Sequence, residues 1–204
     1  MILIINVCKE ELHYFEFVKP VEDIVVNAGM EYTVVHTDCL TKKHLDSADK
    51  VIICGTSLRD FEFENKDFSW ITKYNKPIFG ICAGFQAICS AYGFKTEKST
   101  EIGLKKILFN KKISEKNKEF LGINGDLQAY CLHNNIIDES GKFNAEFDIY
   151  AKSISAISDN SEDTQKITKN ITIHAIKKRD KPIYAVLFHP EVRNTILIEN
   201  FLYI

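Results

Sequence analysis

The chain is short of the features that would place it on nucleic acid, in a membrane or outside the cell. Its 26 basic and 28 acidic residues leave a formal charge of −2. They are interspersed, so no basic field exists to draw a polyanion or an anionic bilayer. No apolar run is long enough to span a membrane. The opening Met1-Ile2-Leu3-Ile4-Ile5-Asn6 lacks the charged start of a signal peptide and reads as a first strand. Six cysteines (Cys8, Cys39, Cys54, Cys82, Cys89 and Cys131) include no C-x-x-C pair. Without a secretory signal, that argues for reduced thiols in the cytoplasm rather than a disulfide framework, and against a zinc site. Repeats and low-complexity linkers are missing too. The 204 residues suit one domain, 1–204, with a substantial core.

What is present is an alternation of short apolar runs and amphipathic segments. Ile2–Val7, Tyr32–His36, Val51–Cys54 and Pro77–Ile81 read as strands, and their near-continuous hydrophobicity suits a parallel sheet covered on both faces. Phe17–Ala28, Asp67–Tyr74 and Ala83–Tyr92 read as helices, with Gly29 and Gly93 as stops after the first and third. The pattern predicts a doubly wound, mostly parallel α/β sheet with its site at the carboxyl ends of the strands. Additional strands are expected at Ile102–Phe109, Leu127–Leu132, Ile154–Ile157, Ile171–Lys177 and Ile183–Phe188. The last two form a hairpin across Lys178–Pro182 and are therefore antiparallel. Asp138–Asn144 and Asp159–Asn170 read as loops, and Asn194–Tyr203 as a closing helix.

Two motifs carry chemistry. In Pro77-Ile78-Phe79-Gly80-Ile81-Cys82-Ala83-Gly84-Phe85-Gln86 a buried strand turns sharply into a helix, with a cysteine at the apex. Such a turn strains the apex residue and crowds its neighbours, and glycines two positions either side relieve the clash. The thiolate is the reactive form of cysteine, and helix N-termini favour it. A buried core cysteine in a strand-to-helix turn would carry the same G-x-C-x-G. The second motif decides between them. The apolar strand ending in Phe188-His189-Pro190-Glu191 stops at the proline, which leaves His189 at its mouth. Cysteine needs a base, and the base needs a group to orient its imidazole. Cys82, His189 and Glu191 supply the three in order.

Gly80-Ile81-Cys82-Ala83-Gly84-Phe85-Gln86 and Phe188-His189-Pro190-Glu191 together resemble the signatures of class I, triad-type glutamine amidotransferase domains. The likeness covers nearly the whole chain, and within the family it is nearest to archaeal-type GMP synthase glutaminase subunits. It implies a flavodoxin-like fold with glutamine as substrate. Cys82 would attack the side-chain amide, His189 would act as base and acid, Glu191 would orient it, and Gln86 would hold the substrate. His133 and Asn134 lie where the family carries a Ser-His-Gly-Asp or Tyr-His-Ser-Leu segment and become substrate-rim candidates. The chemistry requires neither metal nor organic cofactor. Ammonia would pass to a separate ATP-dependent synthase subunit, with GMP synthase first and anthranilate or p-aminobenzoate synthase second.

The oxyanion formed during amide cleavage needs backbone N–H donors. Ala83 is one candidate. Gly55 is the other, although a plain glycine turn reads the same and the family carries Gly-Gly-Pro where this chain has Cys54-Gly55-Thr56. Arg59 and Asp60 read as solvated loop charges. Leu187 replaces the family's usual glutamine before Phe-His. Two other readings use the same residues: a stand-alone γ-glutamyl hydrolase, and a regulatory or binding subunit with a poorly assembled triad.

Overall fold

The computed structural model describes residues 1–110, 120–123, 125–137, 139–158 and 167–204. Among them, nine strands form one sheet in the order β2-β1-β3-β4-β9-β8-β7-β5-β6. β1 (Ile2–Asn6), β2 (Tyr32–His36), β3 (Lys50–Ile53), β4 (Ile78–Ile81) and β9 (Ile183–Val186) run parallel. β5 (Thr96–Phe109), β6 (Leu127–Ile137), β7 (Phe147–Ser158) and β8 (Ile167–Lys178) add the antiparallel half. The α/β class, the parallel strands and the antiparallel additions match the expectation from sequence.

Burial on both faces explains the apolar parallel strands. Ile2 and Ile4 pack with Val21, Val25, Leu197, Ile198 and Phe201. These come from α1 (Lys19–Asn27) and the closing helix Ile196–Leu202. Leu3 and Ile5 face the other way, toward Phe85, Ala87 and Ile88 of the helix Ala83–Ala91. Alternate residues of one strand thus serve two cores.

Several elements differ from the sequence reading. α1 is preceded by an α-turn at Glu11–His13 and a π-helical turn at Tyr14–Val18, so the helical stretch starts earlier than Phe17. A short helix, α2 (Lys42–Ser47), was not expected. Asp67–Tyr74 is not α-helical; it holds a 3₁₀ segment, Ser69–Lys73. The helix Ala83–Ala91 is α3. The expected loop Asp138–Asn144 contains the start of α4 (Gly141–Glu146), where Ser140 Oγ accepts the Phe143 N–H at 3.2 Å as an N-cap. The closing helix, α5, spans Ile196–Leu202. Of the expected loop Asp159–Asn170, residues 159–166 lie outside the described residues, while 167–170 belong to β8.

Candidate active site

β3, β4 and β9 are adjacent and parallel, so their carboxyl ends open on the same edge of the sheet. Gly55 follows β3, Cys82 follows β4, and His189 follows β9 by three residues. This is where an open α/β sheet forms its crevice.

Cys82 has φ +47 and ψ −94, a conformation that L side chains seldom adopt. The close approach of strand and helix holds it there. A Cβ on Gly84 would stand 2.3 Å from the Ile53 carbonyl oxygen, and one on Gly80 would stand 2.7 Å from the Gly84 backbone. Neither is tolerable, so the glycines let α3 press against β3 and β4 and lift Cys82 at the helix N-terminus. The thiol is 3 % exposed, and its Sγ donates to the Leu132 carbonyl at 3.4 Å.

His189 is wholly buried, and its Nδ1 lies 2.7 Å from Glu191 Oε1. Its backbone N–H donates to the Tyr130 carbonyl at 2.9 Å, tying the strand end to β6. The Phe17 ring packs against the imidazole with centroids 5.4 Å apart, so the π-helical turn reaches the site. Burial opposes a charge on this ring. Burial is the largest single influence, but the Glu191 carboxylate and Cys82 together outweigh it, and the imidazole is held well above the ordinary histidine range. Gly55 presses on the same ring: a Cβ there would fall 2.6 Å from His189 Cε1 and 3.5 Å from Cys82 Cβ. The structure thus gathers Cys82, His189, Glu191, Gly55 and Ala83 at one point.

Beside them is a narrow cleft, open to solvent, lined in part by Thr56, Leu58, Cys82, Ala83, Gln86 and Asn134. Gln86 is buried, and its Oε1 accepts from Asn135 Nδ2 at 3.3 Å. The same Nδ2 reaches Glu64 Oε1 at 3.0 Å. The two rim candidates part company. Asn134 Nδ2 donates to the Leu58 carbonyl at 3.0 Å and bridges to the loop after β3. His133 contributes to the cleft wall, but its ring is buried and lies 3.3 Å from Glu101.

Asp60 corrects the sequence reading. It is not a solvated charge: it is 3 % exposed. Its Oδ2 receives Thr56 Oγ1 at 2.7 Å and the Lys9 N–H at 3.0 Å, and His13 Nδ1 lies 2.7 Å away. Burial alone would raise its pKa, but the Thr56 and His13 contacts and the Lys9 N–H hold the carboxyl below the usual range. Asp60 therefore pins the loop that begins at Gly55. The Thr56-x-x-x-Asp60 spacing was the available signal, since a short loop can return a carboxylate to its own start.

Four other cysteines are buried. Burial pushes the Cys8 thiol up to about 11 and Cys131 up to about 12, and holds Cys54 and Cys89 higher than an ordinary thiol. Burial thus favours the neutral thiol at each of these positions. Leu187, the other departure, is fully buried in the core on the α3 side, whereas Val186 and Phe188 pack on the side holding Cys82. Its side chain faces away from the triad.

A cysteine on a strained elbow, beside a buried histidine–glutamate pair at the strand ends of an α/β sheet, is an arrangement that suits a thiol nucleophile. The profile of the glutamine amidotransferase class-I family matches residues 13–203, and the chain belongs to that family. It is 30% identical over 170 residues to the glutamine-hydrolyzing GMP synthase subunit of Thermoplasma volcanium, covering 82% of this chain and 74% of that protein. The corresponding protein from Methanococcus aeolicus is 29% identical over 193 residues, covering 84% and 89%. In fold, the chain is similar to a Thermoplasma acidophilum protein provisionally described as a GMP synthase subunit. The TM-score is 0.74 at 20% identity, with 99% of this chain and 92% of the other covered. Among the described residues, no helix is long and apolar enough to cross a membrane.

Proposed function

We propose that this single domain is the glutaminase subunit of a two-part amidotransferase, hydrolysing glutamine through a Cys82–His189–Glu191 triad. The observation that carries the reading is the strained Cys82 beside a buried imidazole whose Nδ1 meets Glu191 at 2.7 Å. The Cys82 thiolate attacks the γ-carboxamide carbon of glutamine. The oxyanion that forms points at the backbone N–H groups of Ala83 and Gly55. Ala83 stands in the first helical turn, where N–H groups lack intrahelical acceptors. The His189 imidazolium gives its proton to the departing nitrogen, ammonia leaves, and a γ-glutamyl thioester remains. Water then attacks the thioester as His189 takes its proton. The thiolate is expelled, and glutamate is released.

Gln86 and Asn134 line the cleft where the glutamine would lie. Ammonia passes to an ATP-dependent synthase subunit. The names of the curated relatives support GMP synthase as the assembly. A cytoplasmic location fits the six free thiols. The test is glutamate release from glutamine by the chain alone and with a GMP synthase ATP-pyrophosphatase subunit. Glutamate formation that rises with the partner, with matching GMP synthesis, supports the reading. No hydrolysis under either condition contradicts it.

A further inference from the structure

Behind the cleft wall, four side chains converge that the proposed reaction does not use. Glu101 of β5, Cys131 and His133 of β6, and His174 of β8 are all buried, and one ligand atom from each lies within 4.8 Å of the others. Cys131 and His133 are two apart on a strand and therefore share a face, the inward one in the alternating burial of β6. Glu101 is paired directly opposite His133 and follows a bulge between Lys98 and Glu101. Bulges re-aim side chains in this way. His174 sits one residue before Ala175, which pairs with Val186 just upstream of the catalytic histidine.

The polar atoms here are poorly served by hydrogen bonds. Glu101 Oε2, both nitrogens of His133 and His174 Nδ1 are buried with no hydrogen-bond partner. Buried polar atoms without a sound hydrogen bond are costly, and a bound ion is one ordinary resolution. Two distances favour an ion. Glu101 Oε2 lies 3.3 Å from His133 Nε2 and 3.2 Å from His174 Nε2. A tetrahedral centre with bonds of roughly 2.0–2.1 Å has edges near 3.3 Å. Both separations match the edge of such a centre, and each is also an ion-pair distance for a protonated imidazole. Bringing the widest pair into range needs a side-chain shift of about 1 Å.

We propose that Glu101, Cys131, His133 and His174 form a structural metal site, with zinc as the favoured ion. Imidazole, thiolate and carboxylate together suit zinc. Loading displaces the Cys131 thiol proton to solvent, and two negative ligands then balance a divalent cation, leaving no net buried charge. Support for the carboxylate is already in place: Ser153 Oγ and Thr172 Oγ1 each lie 3.4 Å from Glu101 Oε1. Ser153 Oγ now also lies 2.9 Å from His174 Nε2, a contact it would yield to the metal. Four protein ligands leave no open position, so the ion braces rather than reacts. It would pin β6, whose Leu132 carbonyl accepts the Cys82 thiol. The lack of a C-x-x-C pair argued against such a site, but here the strands assemble the ligands from distant positions.

The test uses the full chain carrying Cys82→Ser, which removes the reactive thiol as a competing ligand. It is unfolded in chelator and refolded with Zn²⁺ or Co²⁺ alone, with its fold checked by circular dichroism. About one zinc per chain is expected. Cobalt should give strong tetrahedral d–d absorption and a thiolate-to-metal charge-transfer band. Adding Cys131→Ser should abolish that band, and adding His174→Gln should weaken binding by roughly 100-fold or more. Adding Cys39→Ser, which alters an exposed cysteine elsewhere, should leave both signals intact. A folded Cys82→Ser chain that binds no zinc and shows no cobalt band overturns the proposal. So does binding that survives Cys131→Ser but is lost with Cys39→Ser.

Discussion

The two halves of the sheet handle polarity in opposite ways. The parallel half buries apolar side chains on both faces of β1, β3, β4 and β9 and confines its chemistry to the strand ends. There, glycine contacts and a strained backbone set the positions of Cys82 and His189. The antiparallel half buries Glu101, His133, Ser153, Thr172 and His174 within its layer. One half positions by steric exclusion, the other gathers polar groups into a buried cluster that protein hydrogen bonds only partly serve. The first fails when a methyl is added, the second when a partner is removed.

The largest effect is expected at the elbow itself. Cys82→Ser should lower glutamine turnover by on the order of 10⁶-fold with the fold intact, whereas Cys89→Ser, in the core of the same helix, should be nearly silent. Steady-state glutaminase assays on both variants measure this directly. Equal activity in the two would remove the distinction between the strand end and the buried core.

His189→Asn should follow, with a loss of roughly 10⁴-fold or more. Glu191→Gln should cost less, because it alters the base without deleting it, and its signature is a pH shift. Burial disfavours the His189 charge, and Glu191 is the foremost group opposing that. Neutralising it lowers the imidazole pKa, so the limb of the pH–rate profile that reports loss of the imidazolium proton should move to lower pH. A limb that stays in place would mean that Glu191 does not set the charge on His189.

Gly55→Ala sharpens the steric half of the comparison. Its Cβ would need the space of His189 Cε1, 2.6 Å away. The imidazole must shift, and a displacement near 1 Å costs about 10²-fold in rate. Leu187→Gln should have the smallest effect on rate. It places an amide in an apolar core and should cost about 1–3 kcal/mol of stability, read as a lower unfolding midpoint. Because the side chain faces away from the triad, the pH–rate profile should not change.

The same contrast explains what the sequence made legible. The parallel strands were readable because burial on both faces demands unbroken apolar runs, such as Ile2-Leu3-Ile4-Ile5. The elbow was readable because its geometry requires glycines at fixed offsets from Cys82. α2 was missed: Lys-Lys-His-Leu-Asp-Ser has one apolar residue, and its N-cap Thr41 is boxed by His44 rather than the usual glutamate. β5 runs longer than its apolar core because Thr96–Glu101 pairs with β6 at the sheet edge, where one face is wet and polar residues are tolerated. Asp60 and the Glu101–His133–His174 cluster escaped for another reason. A charged or titratable residue reads as surface until the fold brings it partners, and for Asp60 those partners, His13 and Lys9, lie 47 and 51 positions away.

The most direct test of the central claim is intact-mass labelling with a γ-electrophilic glutamine analogue, on the natural chain and on Cys82→Ser, each alone and with the synthase partner. A single adduct is expected on the natural chain, blocked by excess glutamine and absent from Cys82→Ser. An adduct that persists in Cys82→Ser, or none on the natural chain even with the partner, would contradict it.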